Sequence, residues 1–277
     1  MSIPVVGVLV GVGLVVGLVS GLIGIGGGVL IVPFLYLFYG SPGWSGVEVS
    51  PAVATTVAHA TSLSIIVPTA LRGTWAYGRA GLVSWRAALS MALGSMPAAV
   101  VGALIATALP QPVLRVAFGA LLILTGMDLV RRERGGAKGS AGGTRLWKAA
   151  AAGVVVGLFS AILGVGGGVI AIPVLIYLVG LDIRQVAATS LAIVMFSALA
   201  GTITYGATGV EAGVPAGSIG YVHVYAALPI LIGSVLSVRW GTLLNQRLSR
   251  QRLRAVFALF ILSLGIYLII RNAPLVV

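Results

Sequence analysis

The chain alternates long apolar segments with short polar loops. No charged residue precedes Glu48, and residues 4–39 form one continuous apolar stretch. A helix rises about 1.5 Å per residue and crosses a bilayer in roughly 20 residues, so this stretch is too long for a single span. Six further segments have the length and composition of ordinary membrane spans: 51–71, 84–108, 113–130, 186–206, 223–245 and 255–271.

Composition agrees with a protein solvated by lipid. Only 8% of the residues are charged and the mean hydropathy is +1.13, whereas a soluble domain carries about 25% charged residues. The net charge of +12 comes from Lys and Arg in short loops, where they orient the protein and contact anionic lipid headgroups. Nucleic acid is therefore not an expected partner.

Few residues are suited to catalysis or to metal binding. The chain has no cysteine, two histidines and five acidic residues. Thiolate metal sites and cysteine catalysis are thereby excluded, and paired carboxylates and a nucleotide-binding loop are lacking. We predict no enzymatic activity, no metal and no cofactor.

An internal repeat covers most of the chain. Residues 16–38 read VGLVSGLIGIGGGVLIVPFLYLF and residues 156–178 read VGLFSAILGVGGGVIAIPVLIYL, with 11 of 23 positions identical. Further along, AVATT at 52–56 is matched with VAATS at 186–190. We divide the chain into a first membrane repeat (1–131), a basic, glycine-rich linker (132–148) and a second membrane repeat (149–277).

Each repeat begins with an interrupted helix. Each glycine in GIGGG or GVGGG disfavours helix by roughly 1 kcal/mol relative to alanine, so three close together predict a break. We expect a span over 4–23, a turn and a short helix over 28–39, and the same arrangement over 149–179. The predicted fold is an all-α integral membrane protein of about ten membrane segments.

Loop charge predicts the orientation. If each short helix returns to the side where its repeat began, nearly all Lys and Arg lie on one side, which positive-inside topology makes cytoplasmic. The linker is then cytoplasmic, both termini are outside, and the membrane is the cell inner membrane. Each repeat makes an odd number of crossings, so the repeats are inverted copies. Inverted repeats with interrupted helices are typical of transporters, which bind their substrate at the repeat interface near the midplane of the membrane.

Three groups of paired residues are candidates for substrate binding. The short helices begin at the glycine trios, where their first amides are available to an anion; close helix packing is the alternative reason for glycine there. Ser20 and Ser160 either contact the ligand or bond to their own helices. The hydroxyls near the starts of later spans either donate to an oxyanion or cap those helices. The candidates are Gly26, Gly27, Gly28, Gly166, Gly167, Gly168, Ser20, Ser160, Thr55, Thr56, Thr189 and Ser190.

Two ionisable residues complete the candidate site. His59 lies inside an apolar segment, where an ionisable group is a functional candidate; it either contacts substrate or handles protons, or it makes a structural hydrogen bond. Its counterpart by the repeat matching above is Ile193. Arg239 is either a cation in a cavity or a residue that extends its charge to the membrane surface.

The motifs resemble those of the sulfite exporter TauE/SafE family. The resemblance lies in the two GxGGG-x(4)-P strings, in the ATT and ATS motifs and in the G-x(7)-G spacing of later spans. It implies a transporter of small sulfur-containing anions, sulfite or organosulfonates such as sulfoacetate, working by alternating access. Apart from Asp128 near a span end, no acidic residue lies within a predicted span, which also favours an anion. An anion channel and a carrier of another organic acid are the alternatives.

Overall fold

The computed structural model describes residues 2–131, 146–181, 183–208 and 213–247, and a few positions between 262 and 270. Within these ranges the regular secondary structure is helical apart from one short β-hairpin. The helices are α1 Ile3–Ile23, α2 Gly28–Tyr39, α3 Pro42–Ser45, α4 Ala54–Arg79, α5 Trp85–Ala108, α6 Gln111–Arg131, α7 Leu146–Leu163, α8 Gly168–Tyr177, α9 Ile183–Thr208 and α10 Val224–Arg247. The hairpin strands are β1 Ser218–Ile219 and β2 Val222–His223, paired antiparallel.

The all-α membrane architecture is confirmed. Among the described residues, α1, α4, α5, α9 and α10 are long and apolar enough to cross a membrane. α4 continues beyond the predicted end at residue 71, so Arg72 and Arg79 belong to the helix; both guanidinium groups stack on Trp75. Neither α3 nor the hairpin was predicted. The linker is largely outside the described residues, as is most of the last predicted span, 255–271.

Both predicted helix breaks are present, and glycine is what permits them. Gly24, Gly26 and Gly27 have φ of 83°, 85° and 84°, and the three equivalent glycines of the second break have φ of 66–81°. Other L-residues pay roughly 1–2 kcal/mol in this left-handed conformation. Among the described residues only glycines adopt positive φ.

The centre of the bundle is an antiparallel crossing of α4 and α9. Gly73 of α4 packs on Leu191 of α9, and Gly201 of α9 packs on Leu63 of α4. Between these contacts, Ile66 and Val194 lie next to both Gly26 and Gly166. The two longest described helices therefore cross where the two breaks lie.

Two tight parallel helix pairs flank this crossing. α1 packs along α10 and α7 packs along α5, and at each contact a glycine faces backbone atoms of its partner helix with no room for a Cβ. Such small-residue contacts are how membrane helices approach closely. The facing pairs are Gly13 and Ile230, Gly17 and Ser234, Gly21 and Val238, Gly153 and Met91, and Gly157 and Ser95.

The contact registers also give the helix directions. Thr69 bonds to Ser234 and Gly73 lies against Val238, so α4 runs parallel to α10 and hence to α1. α9 runs antiparallel to α4. α5 begins beside Thr189, near the start of α9, and packs along that helix, so α5 and its parallel partner α7 share the direction of α9. Since α1 and α4 share a direction, the chain between them, which includes α2, returns to the side where α1 began.

The matching of residues 52–56 with 186–190 was wrong. The sequence Ala60-Thr61-Ser62-Leu63 occupies in α4 the place of Ala188-Thr189-Ser190-Leu191 in α9. Equivalent hydrogen bonds in the two halves support this matching. Tyr77 of α4 donates to the Gly21 carbonyl at 2.6 Å, and Tyr205 of α9 donates to the Ala161 carbonyl at 2.9 Å. α3 and the residues after it lengthen the first repeat's loop, which shifts the register. The counterpart of His59 is Ala187 and not Ile193. His59 lies against Gly164, and Ala187 lies against the equivalent Gly24.

A methyl group added at Gly94 should destabilise the protein. A Cβ there meets the Ala150 backbone of α7, and overpacking costs typically about 1–3 kcal/mol. Gly7→Ala is the control, because nothing lies within 4 Å of a Cβ at this position of α1. We expect Gly94→Ala, but not Gly7→Ala, to lower the thermal unfolding midpoint in detergent. Equal midpoints would show that the α5–α7 contact is looser than described.

Candidate functional site

The six predicted trio glycines come together in one buried region. We call it the glycine crossing: residues 24–28, residues 164–168 and the parts of α4 and α9 that pack on them. A Cβ on Gly28 would lie 2.6 Å from Val165 Cα, and a Cβ on Gly168 would lie 2.6 Å from the Ile25 carbonyl oxygen. Two segments 140 positions apart in sequence thus touch backbone to backbone.

The contact gives a packing reason for the third glycine of each trio. At Gly28 and Gly168 the place of a side chain is occupied by the opposite break, so the need for glycine there follows from packing. Gly26 is confined by Val194 and Ile66, and Gly27 by Val16 and Ser20. Close packing is therefore one physical reason for glycine at these positions.

The electrostatics of the crossing favour a negative ligand. α2 and α8 both begin there, with Gly27 and Gly167 as their N-caps. Each helix N-terminus acts as about half a positive charge and presents amides without intrahelical partners. The sequence places no Asp or Glu in α1, α2, α4, α7, α8 or α9. Two positive helix ends thus adjoin in an apolar interior, and an anion is the complementary species.

The paired serines differ in their bonding. Ser20 and Ser160 each lie beside a break, against Gly27 and Gly167. Ser160 Oγ bonds to Ser197 Oγ at 3.3 Å, and Ser197 also donates to the Gly166 carbonyl at 3.0 Å. Ser20 Oγ is fully buried and has no hydrogen-bond partner among the described residues. Ser20 is therefore the hydroxyl still able to bond a ligand at the crossing.

The hydroxyls of the A-T-S strings also reach the breaks. Ser62 Oγ donates to the Gly164 carbonyl at 2.8 Å, and Ser190 Oγ lies 3.5 Å from the Gly168 carbonyl. Thr189 Oγ1 accepts from the Ser84 amide, as Thr61 Oγ1 accepts from the His223 amide, each at 3.0 Å. Sequence reasoning found Thr189 and Ser190 but missed Thr61 and Ser62. The repeated A-T-S-L string was the signal that could have found them.

Thr55 and Thr56 lie apart from the crossing, at the first turn of α4. The Gln111 side chain of α6 accepts from both their amides, at 2.7 and 3.2 Å. It also donates to Thr56 Oγ1, while Arg115 Nε donates to Thr55 Oγ1 at 2.8 Å. These threonines fasten α6 to the start of α4, so a structural role is the one their contacts support.

His59 is fully buried between α2, α6 and the second break. Its Nε2 bonds to the Tyr36 hydroxyl at 2.5 Å, and its Cα packs on Gly164. The Arg115 guanidinium lies over the Tyr36 ring, 5.3 Å from the centroid. Nδ1 of His59 has no hydrogen-bond partner among the described residues. Tyr36 and Arg115 were not predicted, since nothing in their spacing links them to His59.

Arg239 is not brought to the crossing. It is on the exposed face of α10 beside the exposed Trp240, on a helix apolar enough to span the membrane. A lipid-facing arginine extends its charge toward the interface, so the second interpretation of this residue is supported.

A cavity of about 750 Å³ lies beside the β-hairpin; we call it the hairpin cavity. Its walls come from both repeats and include Gly46, Val47, Glu48, Ala216, His223 and Tyr225. His223 itself is almost fully buried, and its Nδ1 bonds to the Tyr39 hydroxyl at 3.2 Å. Burial lowers the pKa of His223 to about 4, so the ring is neutral at pH 7.

Taken together, the spans and the interrupted helices define a multi-pass membrane protein. Comparison with known proteins assigns the family. The profile of the sulfite exporter TauE/SafE family matches residues 9–268, and the chain belongs to that family.

Relatives of similar length are named probable membrane transporter proteins. The Methanocaldococcus jannaschii relative is 25% identical over 95% of this chain and 94% of its own length. YunE of Bacillus subtilis is 26% identical over 95% and 96%, and a Xylella fastidiosa relative is 28% identical over 91% and 90%. No solved structure matches the chain. The protein is a membrane transporter.

The two serines give a paired stability prediction. Ser160→Ala loses a hydrogen bond worth about 1 kcal/mol, whereas Ser20→Ala removes a buried hydroxyl that has no partner and should cost nothing. We expect the thermal midpoint to fall for Ser160→Ala only. A midpoint lowered equally by Ser20→Ala would show that its hydroxyl is bonded in the folded protein.

The low pKa of His223 predicts loss of stability in acid. An unfolded histidine titrates near pH 6.5, and folded His223 near pH 4. Between these pH values only the unfolded chain binds the proton at His223. Protonation of this residue therefore leaves the free energy of unfolding unchanged above about pH 6.5 and lowers it progressively as the pH falls toward 4. At most about 3 kcal/mol is involved, at 1.36 kcal/mol per pKa unit.

His223→Gln is the test variant, because glutamine keeps polar atoms but does not titrate. Tyr39, Tyr225 and the exposed Glu48 are the titratable groups around His223 and are unchanged in it. The drop in thermal midpoint from pH 7 to pH 5 should be smaller for the variant than for the wild type. An equal drop would assign the acid sensitivity to another group.

Proposed function

We propose that the protein carries small anions, sulfite or organosulfonates such as sulfoacetate, across the cell inner membrane by alternating access. The observation that carries this proposal is the meeting of two helix N-termini at the glycine crossing, in a part of the chain without carboxylates. The unpartnered Ser20 hydroxyl supplies a donor at the same place. Donors fixed in a low-dielectric interior bind an anion more strongly than donors in water.

The proposed mechanism uses the two halves as inverted repeats. α1 and α4 run opposite to their counterparts α7 and α9, as copies related by a two-fold axis in the membrane plane would. Inverted repeats permit the same site to open to either side, because exchanging the conformations of the two halves reverses the access.

Matching contacts at the two ends support alternation. The Thr61 hydroxyl joins α4 to the backbone just before α10, and the Thr189 hydroxyl joins α9 to the backbone just before α5. α10 and α5 run in opposite directions, so these contacts lie toward opposite ends of the bundle. Breaking one while keeping the other would open the crossing to one side only.

We place the linker in the cytoplasm and both termini outside. Positive-inside topology supports this, because Arg79 and Arg86 then lie at the same end as the linker. An inside-negative potential favours anion exit by about 2.3 kcal/mol per charge per 100 mV. Export down the potential is therefore the expected direction.

Counterflow in proteoliposomes tests the proposal. We expect saturable movement of labelled sulfite or sulfoacetate that is accelerated by unlabelled substrate on the opposite side. A channel would give non-saturating flux without counterflow, and no flux for any member of an anion panel would overturn the assignment.

Ser20→Ala should then raise the half-saturation concentration roughly ten-fold, as expected for one hydrogen bond to a charged ligand. Ser90→Ala is the matched control, because its hydroxyl bonds to the Arg86 carbonyl on α5, away from the crossing. An unchanged half-saturation concentration for Ser20→Ala would show that the anion binds elsewhere in the protein.

A further inference from the structure

The hairpin cavity is connected to the glycine crossing by consecutive polar contacts. His223 lines the cavity, and its amide donates to Thr61 Oγ1 at 3.0 Å. The next residue, Ser62, donates to the Gly164 carbonyl within the crossing at 2.8 Å. All three residues are buried, and the neighbouring α4 side chains Val57, Ala58, Ala60 and Leu63 are fully buried and apolar.

His223, in the cavity wall, forms a side-chain pair with Tyr39 of α2. The Tyr39 hydroxyl and His223 Nδ1 are 3.2 Å apart, both side chains are buried, and their rings are 5.8 Å apart. Tyr39 is the last residue of α2, whose first residue is Gly28. A shift of α2 along its axis would therefore change both the pair and the crossing.

The pair has no equivalent in the second repeat. The counterpart of Tyr39 is Val179, and the counterpart of His223 is Ser84. At the end of the bundle where Ser84 and Thr189 lie, the backbone-to-hydroxyl bond is present without the ring pair. Among the described residues, the ring pair makes the cavity end chemically distinct.

We propose that the hairpin cavity is the vestibule through which the transported anion passes between the crossing and one side of the membrane, and that the Tyr39–His223 pair closes it. This rests on the anion transport proposed above. Glu48, an exposed carboxylate in the cavity wall, disfavours long residence of an anion there. The cavity wall itself is therefore not the place where the anion would be held.

The chain contains no cysteine, so single cysteines can report access without background. Ala216→Cys places a thiol in the cavity wall, and Ala52→Cys places one on an exposed position outside the cavity lining. With a membrane-impermeant, negatively charged methanethiosulfonate, both should be modified from the same membrane side. Only modification of Ala216→Cys should abolish sulfite flux.

Ser62→Cys reports the inner end of the passage. We expect it to react slowly in an otherwise wild-type chain, and about five-fold faster, from the cavity side, when Tyr39→Phe removes one hydrogen bond. Tyr36→Phe is the matched control, because it removes a hydroxyl from the same helix but one bonded to His59. His223→Gln should also accelerate the reaction. Elution of each variant at the wild-type volume in size-exclusion chromatography in detergent confirms that it is folded.

An unchanged Ser62→Cys rate in both Tyr39→Phe and His223→Gln would overturn the closure, and full flux after modification of Ala216→Cys would overturn the vestibule. Acceleration by Tyr36→Phe to the same extent would show general loosening and would also count against it. The labelling rates need no substrate. If the wild type moves no sulfite or sulfonate, the proposed function fails while the Ser62→Cys rates still decide the passage.

Discussion

The contact on which the rest of the structure depends is that between the two helix breaks. Ile25 and Val165 lie backbone to backbone against the third glycines of the opposite trios, an approach that a single Cβ on either side would prevent. Because the breaks touch there, α4 and α9 must cross beside them, and the N-termini of α2 and α8 must adjoin. The glycines that permit the left-handed turns thus also fix where two like-signed helix ends meet.

That meeting is electrostatically unfavourable in an apolar interior, and it is the reason why we propose an anion as the ligand there. Like charges brought together at low dielectric repel strongly, and in lipid no water is available to relieve them. The sequence supplies no carboxylate in the surrounding helices. In the proposed function, a transported anion would supply the missing charge during each passage.

The two halves share their helix contacts but differ in their polar side chains. The glycine contacts and the Thr61 and Thr189 bonds occur once in each half with the partners exchanged. Tyr36 and Tyr39, by contrast, hold α2 to the two histidines, while α8 has apolar residues at or after the matching positions. The repeated residues make matching contacts in the two halves, and the unrepeated ones distinguish the two ends of the bundle.

Hydrophobicity and glycine by themselves determined the helices and both breaks. A helix in lipid must satisfy every backbone group internally, so long apolar runs and clustered glycines leave little freedom. The sequence did not determine which face of each helix is buried. A membrane helix is apolar both toward lipid and toward its neighbours, so periodicity carries little information about direction. For this reason Arg239, Thr55 and Thr56 were grouped with the trios, Thr61 and Ser62 were missed, and the Tyr–His pairs became visible only when packing brought together residues as distant as Tyr39 and His223.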